Sequence, residues 1–428
     1  MVVAAETHRA IDAVWRIESP RLIASLARIV RDVGVAEDLA QDALVAALEQ
    51  WPKSGVPENP GAWLMAAAKH RAIDYFRRNT LLDRKHEELG REYATREMAV
   101  PDLNAALDDD VGDDLLRLVF VSCHPVLPTE ARVALTLRLL GGLTTAEIAR
   151  AFLVPEPTIA QRIVRAKRTL ADKRVPFEIP RGPELSARLE SVLEVVYLIF
   201  NEGYSATAGE DWVRPTLCED ALRLGRILAA LAPIEPEVHG LAALMEIQAS
   251  RLGARVGASG EPILLLEQNR ALWDQLLIQR GLAALHRAQG LHARSHASPG
   301  TYALQAAIAA CHARARTSEE TDWARIAALY AELWKLSPSP IVQLNRAVAL
   351  GMASGPAAGL ALVDAIASEP SLLNYHLLPS VRGDLLSKLG RMAEAREEFD
   401  RAASLTHNVR ERELLARRAM ECAADRHQ

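Results

Sequence analysis

Thr144-Thr-Ala-Glu-Ile-Ala-Arg150, then Thr158-Ile-Ala-Gln-Arg-Ile-Val-Arg-Ala-Lys-Arg168, is the stretch of this 428-residue chain that decides its reading. Thr144-x-x-Glu147 has the spacing of a capping box, so a helix is predicted to start at Thr145, with Ala146, Ile148, Ala149 and Phe152 facing a core. Leu153-Val-Pro155 forms a short turn. Beyond it Ile159, Ile163, Ala166 and Leu170 recur at helical steps and make one buried stripe. The opposite face displays Thr158, Gln161, Arg162, Arg165 and Arg168, with Lys167 alongside. A helix built this way enters a DNA major groove, where Arg and Gln read base edges and the remaining cations hold phosphate. A merely solvated basic helix would need neither the capped partner before it nor the tight turn between them. Pro157 suits a first helical turn but disfavours helical geometry at Glu156, so the start of the second helix is expected to move by one residue, with Glu156 as an imperfect cap.

The rest of the chain reads as all-α. Half its residues are apolar, only 5% are aromatic, and alternating β-branched runs are scarce. The net charge of −5 hides a segregation: residues 129–175 carry 9 basic and 4 acidic groups, whereas 81–128 carry 5 and 11. The acidic run Asp108-Asp-Asp-Val-Gly-Asp-Asp114 reads as a solvated linker. The four cysteines (Cys123, Cys218, Cys311, Cys422) form no C-x-x-C pair, so neither a disulfide framework nor a metal site is signalled, and buried thiols are expected. No long uncharged apolar run and no apolar leader is present, which predicts a cytoplasmic protein with no membrane partner. Phosphate-loop, dinucleotide, zinc-protease and serine-hydrolase motifs are missing, so no enzyme activity, catalytic residue or cofactor is expected; Cys123-His124 and Glu210-Asp211 are neighbours in sequence with structural roles.

A second block lies near the N-terminus. Asp38, Gln41, Asp42 and Glu49 share one helical face over apolar Leu39, Ala43 and Leu44. Lys53 to Gly61 is a loop rich in helix breakers, leading into a helix with Trp63, Lys69, His70, Arg71, Tyr75, Phe76, Arg77 and Arg78. Cations mixed with aromatics suit separated DNA strands, because charge follows the backbone while ring faces receive unstacked bases; for Trp63, a place in the core is the alternative. Asn201 to Ser205 reads as a polar break after the apolar run Val192–Phe200. Near the C-terminus Gly383, Gly390, Ala395, Phe399 and Ala402 have tetratricopeptide spacing, echoed by Ala358, Leu362, Ala365 and Pro370, and more weakly by Ile326, Tyr330, Leu333 and Pro338; a plain Ala/Leu bundle is the alternative.

In order and separation the two blocks resemble the second and fourth regions of bacterial RNA polymerase sigma factors of the extracytoplasmic-function (ECF) class. That resemblance implies two small helical domains and promoter recognition. It implies that Asp38, Gln41 and Asp42 dock on core RNA polymerase, that the loop after Lys53 captures a flipped base of the minus-ten element, and that the helix-turn-helix reads minus-thirty-five promoter DNA. The chain departs from the common pattern at Pro155, where a Ser or Thr cap is usual, at His70, where many relatives carry Asn, and at Leu44, where many carry Phe. Nearly the whole chain resembles one ECF subgroup, which has a large C-terminal extension ending in tetratricopeptide-like repeats. The expected layout is a region 2-like domain at 1–80, an acidic linker at 81–112, a region 4-like domain at 113–176, a helical extension at 177–298, and repeats at 299–428 that offer a surface to a protein or peptide partner. The competing reading is a ligand-sensing helix-turn-helix regulator, which would need neither the acidic face of Asp38 nor the aromatic-basic helix ending at Arg78.

Overall fold

The computed structural model describes residues 2–89, 111–152, 154–206, 208–209, 212–257 and 260–424. The chain divides into two compact units between Val195 and Val196.

The first unit begins with α1 (Val2–Val30), α2 (Val33–Ser54) and α3 (Pro60–Leu89). The link from α1 to α2 is very tight because Arg31 takes a left-handed conformation and Asp32 caps α2, accepting from the Gly34 and Val35 amides at 2.7 and 3.0 Å. Leu39, Ala40, Ala43 and Ala47 of α2, Leu64, Ala68 and Ala72 of α3, and Leu22, Ile23 and Leu26 of α1 are all buried where the three helices pack on one another. At about 1.5–3 kcal/mol for each large apolar side chain, that shared stripe accounts for the three-helix packing. Gly55, at φ 84, ends α2, and Asn59 caps α3 by accepting from the Ala62 amide. The breaker-rich loop is thus shorter than its composition suggests, since Lys53 and Ser54 still belong to α2.

Then come α4 (Val111–Ser122), α5 (Thr129–Leu139), α6 (Thr145–Phe152), α7 (Glu156–Asp172) and the start of α8 (Pro183–Tyr204). Two expectations change here. First, α3 runs on to Leu89, well into the segment expected as linker. Secondly, Asp113 and Asp114 form the first turn of α4, and Asp114 is 1% exposed, held by Arg28 at 2.8 Å and Arg117 at 2.5 Å. An aspartate at a helix N-terminus is favoured by the unsatisfied amides there, and two arginines compensate its burial; burial, outweighing both, still pushes its carboxyl above the ordinary range. Asp108 to Asp110 lie outside the described residues. The first half of α8 belongs to this unit: Arg188 donates to the Phe120 carbonyl at 2.7 Å, and Ser191 to the Cys123 carbonyl at 2.6 Å.

The second unit contains the end of α8, then α9 (Pro215–Leu231), α10 (Pro236–Ala249), α11 (Gln275–Ser295), α12 (Thr301–Arg314), α13 (Trp323–Leu336), α14 (Pro340–Ser354), α15 (Pro356–Ile366), α16 (Leu377–Lys388), α17 (Met392–Leu405) and α18 (Val409–Ala424). A two-residue parallel pairing joins Ala208–Gly209 to His407–Asn408. The Asn201–Ser205 break does not interrupt the helix, because Asn201 to Tyr204 continue α8. Gly203 has a packing reason instead: a side chain there would meet the Cys218 amide of α9 at 2.7 Å. From α13 onward each helix packs on its chain neighbours. Gly383 leaves room for the Phe399 ring, which a Cβ would meet at 2.9 Å, Gly390 turns the chain at φ 73, and Ala395, Phe399 and Ala402 are buried.

Candidate nucleic-acid interface

The helix-turn-helix forms from the pattern that announces it. The Thr144 amide and hydroxyl donate to Glu147 Oε2 at 2.8 and 2.9 Å, and the Glu147 amide donates to Thr144 Oγ1 at 3.2 Å, a reciprocal capping box. Burial works to raise the Glu147 carboxyl, but these bonds and the Arg16 charge hold it below its usual range. Ile159, Ile163, Ala166 and Leu170 are all buried, as their spacing requires. The start of α7 differs from expectation: Glu156 is already helical, Pro155 precedes it with no side-chain cap, and Pro157 sits in the first turn, where a missing amide costs nothing. Leu153 lies outside the described residues.

On the outer face of α7, Gln161, Arg165 and Arg168 are exposed, and Thr158 and Arg162 half-buried. Arg168 lies 3.6 Å from Asp172, a solvent-exposed pair of small energetic value. Lys167 points elsewhere. Its Nζ lies 2.5 Å from Glu37 and 3.9 Å from Asp38, both on α2.

In the N-terminal domain α3 carries the expected DNA-facing residues. Arg71 and Arg77 are exposed, Lys69 and Tyr75 half-buried, and His70 is exposed with Nδ1 2.8 Å from the Ala66 carbonyl. Tyr75 and Phe76 meet edge to face at 5.7 Å. The Arg78 side chain lies outside the described residues. Trp63 is half-buried, its ring edge-on to the fully buried Trp51 at 5.3 Å, so it belongs in part to the core. On α2, Asp38 and Asp42 are exposed while Gln41 donates to Glu37 at 2.6 Å.

Glu37 is the residue to which the sequence reading assigned no role. It is 3% exposed, accepts from Arg138 Nε at 2.6 Å and forms an ion pair with Lys167 at its other oxygen. Arg138 also donates to the Leu143 carbonyl ahead of the capping box. A second cross-contact pairs Arg16 of α1 with Glu147 at 2.5 Å, and Gly142, at φ 70, lets the loop approach the Arg16 backbone. The N-terminal domain and the helix-turn-helix therefore touch through ion pairs between their functional helices. The one trace in the sequence is Arg138, a cation flanked by Leu137 and Leu139, and it names no partner.

The residues considered for other chemistry have structural places. Cys123 is buried with Sγ 3.3 Å from Thr136 Oγ1, and burial pushes its thiol up, away from reactivity. His124 is lowered to about 4 by burial and by Arg188, and its Nδ1 accepts the Val126 amide. Cys218 and Cys422 are also buried, whereas Cys311 is partly exposed, unlike the expectation for it. Glu210 and Asp211 lie outside the described residues. Among those described, no His, Cys, Asp and Glu side chains cluster to hold a metal, and no helix is long and apolar enough to cross a membrane.

Fold and site define an all-helical DNA-binding protein with a helix-turn-helix and a second helical domain before it. Comparison with known proteins narrows the class. Residues 15–81 match the family described as Sigma-70 region 2, residues 117–170 that described as Sigma-70, region 4, and residues 188–289 a family of unknown function (DUF6596). The chain is 43% identical over 396 residues to "Uncharacterized protein R00370" of Rhizobium meliloti (strain 1021), covering 92% of this chain and 91% of that one. It is 30% identical over 161 residues to "ECF RNA polymerase sigma factor SigK" of Mycobacterium ulcerans (strain Agy99), covering 35% of this chain and 78% of that one. It is 25% identical over 175 residues to "Probable ECF RNA polymerase sigma factor SigI" of Mycobacterium tuberculosis (strain ATCC 25618 / H37Rv), covering 40% of this chain and 58% of that one. No solved structure matches the chain. The chain belongs to the ECF RNA polymerase sigma factors.

Proposed function

We propose that this sigma factor directs core RNA polymerase to promoters by dividing the work between its two N-terminal domains. The carrying observation is that one compact unit presents two different surfaces: Asp38 and Asp42 exposed on α2, and Gln161, Arg165 and Arg168 exposed on a capped helix-turn-helix. Asp38, Gln41 and Asp42 then dock on polymerase, α7 reads the minus-thirty-five element, and the face of Lys69, Arg71, Tyr75 and Arg77 engages the opened minus-ten strand. The helix pairs from Thr301 onward are tetratricopeptide-like repeats that offer a surface to a protein or peptide partner, and through them the extension regulates the sigma domains.

The cross-contacts add a conformational requirement. By their names the two promoter elements lie roughly 25 base pairs apart, about 85 Å of duplex at 3.4 Å per base pair. Glu37 and Lys167, one from each module, are 2.5 Å apart. This arrangement is a closed state, and the Glu37, Arg138 and Lys167 pairs part when both modules engage a promoter. Replacing Asp38 and Asp42 together by Lys tests the polymerase contact, since both side chains are exposed and helicity should survive. The variant is expected to lose co-purification with core polymerase; undiminished binding would remove the assignment.

A further inference from the structure

The second unit holds a cavity of about 430 Å³, within the range of roughly 300–1,000 Å³ that small-molecule sites occupy. Tyr197 of α8, Gln248 and Arg251 at the end of α10, Gln305 and His312 of α12, and Tyr330 of α13 contribute its polar wall.

Arg251 is the unusual member. It is 8% exposed, yet no salt bridge joins it to a carboxylate among the described residues, and its Nε is buried with no hydrogen-bond partner. Its guanidinium lies over the rings of Tyr204 at 5.6 Å and Trp273 at 5.8 Å. A guanidinium cannot shed its proton, and a buried charge is ordinarily paired. The neighbouring Arg255 over Tyr204 and Arg270 over Trp273 bring further positive charge, offset at Arg270 alone by Glu319 and Glu320. His312, 7% exposed, also has its Nδ1 buried without a partner, and its ring stands edge-on to Trp323 at 5.1 Å. Two buried nitrogens without hydrogen-bond partners thus belong to residues that line one cavity.

We propose that this cavity binds a small organic monoanion, a carboxylate on an apolar body, whose carboxylate pairs with Arg251 beside His312. Bidentate pairing with a carboxylate would supply the missing counter-charge. The charge of the ligand follows from the wall: Arg251 is the one arginine among the lining residues, and the other polar groups are amides, hydroxyls, phenols and the His312 imidazole. A dianion would leave one charge uncompensated. His312 adds none, since burial first and then the Arg251 and Arg270 charges lower it to about 3. The apolar body follows from the remaining surface, where Leu244, Ile308 and Leu333 line the cavity together with the tyrosine rings. Nothing in the promoter reading depends on this site, and its test measures binding alone.

The test uses the full-length protein, with saturation-transfer NMR and calorimetric titration of phenylacetate, 4-hydroxybenzoate and hexanoate, and with phenylacetamide and inorganic phosphate as contrasts. The carboxylates are expected to bind, with phenylacetamide weaker by about ten-fold or more, a difference of about 1.4 kcal/mol. Arg251→Gln should lose about the same factor. Because Arg251 also stacks on two rings, Ser337→Trp serves as the second variant; Ser337 is exposed and lines the cavity, so the indole should block entry while the circular dichroism spectrum stays that of the parent. Failure of all three carboxylates to bind, equal binding of phenylacetamide, or full binding by folded Arg251→Gln or Ser337→Trp would overturn the proposal. Phosphate binding as tightly as the carboxylates would overturn the assignment to a carboxylate on an apolar body.

Discussion

Glu37 shows how much one side chain settles. As a carboxylate 3% exposed, it is tolerable in the fold because Arg138 and Lys167 reach it from the other domain and Gln41 donates to it from its own helix. Glu37→Gln keeps the shape and removes the charge, so two partly buried cations lose their counter-ion. We expect roughly 1–3 kcal/mol less stability in urea denaturation, together with tighter binding of minus-thirty-five duplex, because Lys167 is released. Unchanged stability and unchanged affinity would mean that the closed contact has no energetic weight. His312 makes a pH prediction. Unfolded, it takes up a proton near 6.5, whereas in the fold burial and the Arg251 and Arg270 charges hold it neutral down to about 3. The folded state therefore binds fewer protons between those values, and stability is present above about pH 6.5 and falls as pH drops through that window, by at most about 1.4 kcal/mol per pH unit. Thermal unfolding at pH 7.5 and 5 should show this loss, and His312→Asn should lessen it; an identical pH dependence in parent and variant would refute the role of His312.

Helices were legible where a local rule has one solution. The Thr144–Glu147 box and the Ile159, Ile163, Ala166, Leu170 stripe needed no tertiary information, because a cap and a helical period are properties of neighbouring residues. Elements were misread where a partner far along the chain decides. Asp114 reads as solvated among its acidic neighbours, and becomes buried because Arg28 of α1 meets it. Asn201 to Tyr204 read as a break because glycine and polar residues interrupt the apolar run; they stay helical because Gly203 lets α9 approach. α8 carries the prediction at this scale. Its first half supplies Arg188 and Ser191 to the core of the first unit, so the sigma module ends beyond Pro183. Truncation after Arg181 should leave the Phe120 and Cys123 carbonyls without these donors and lower the melting temperature of the remaining domains, whereas truncation after Val195 should preserve it. Equal melting of the two fragments would show that α8 is dispensable to the first unit.

At the scale of the whole molecule the sequence exposed the modules and left their relationship hidden. The sigma blocks and the helical extension could be read from pattern and composition. The closed contact could not, since Glu37, Arg138 and Lys167 are distant in sequence and ordinary in type; nor could the cavity around Arg251, which five helices assemble. Promoter-directed initiation is the central function proposed for the first unit. The most direct measurement is run-off transcription with purified core RNA polymerase, this protein and a set of candidate promoter templates. The account predicts transcripts from particular promoters only when the protein is added, and their loss with Arg165→Ala at unchanged polymerase binding; no specific transcript from any template, or transcripts indifferent to Arg165, would contradict it.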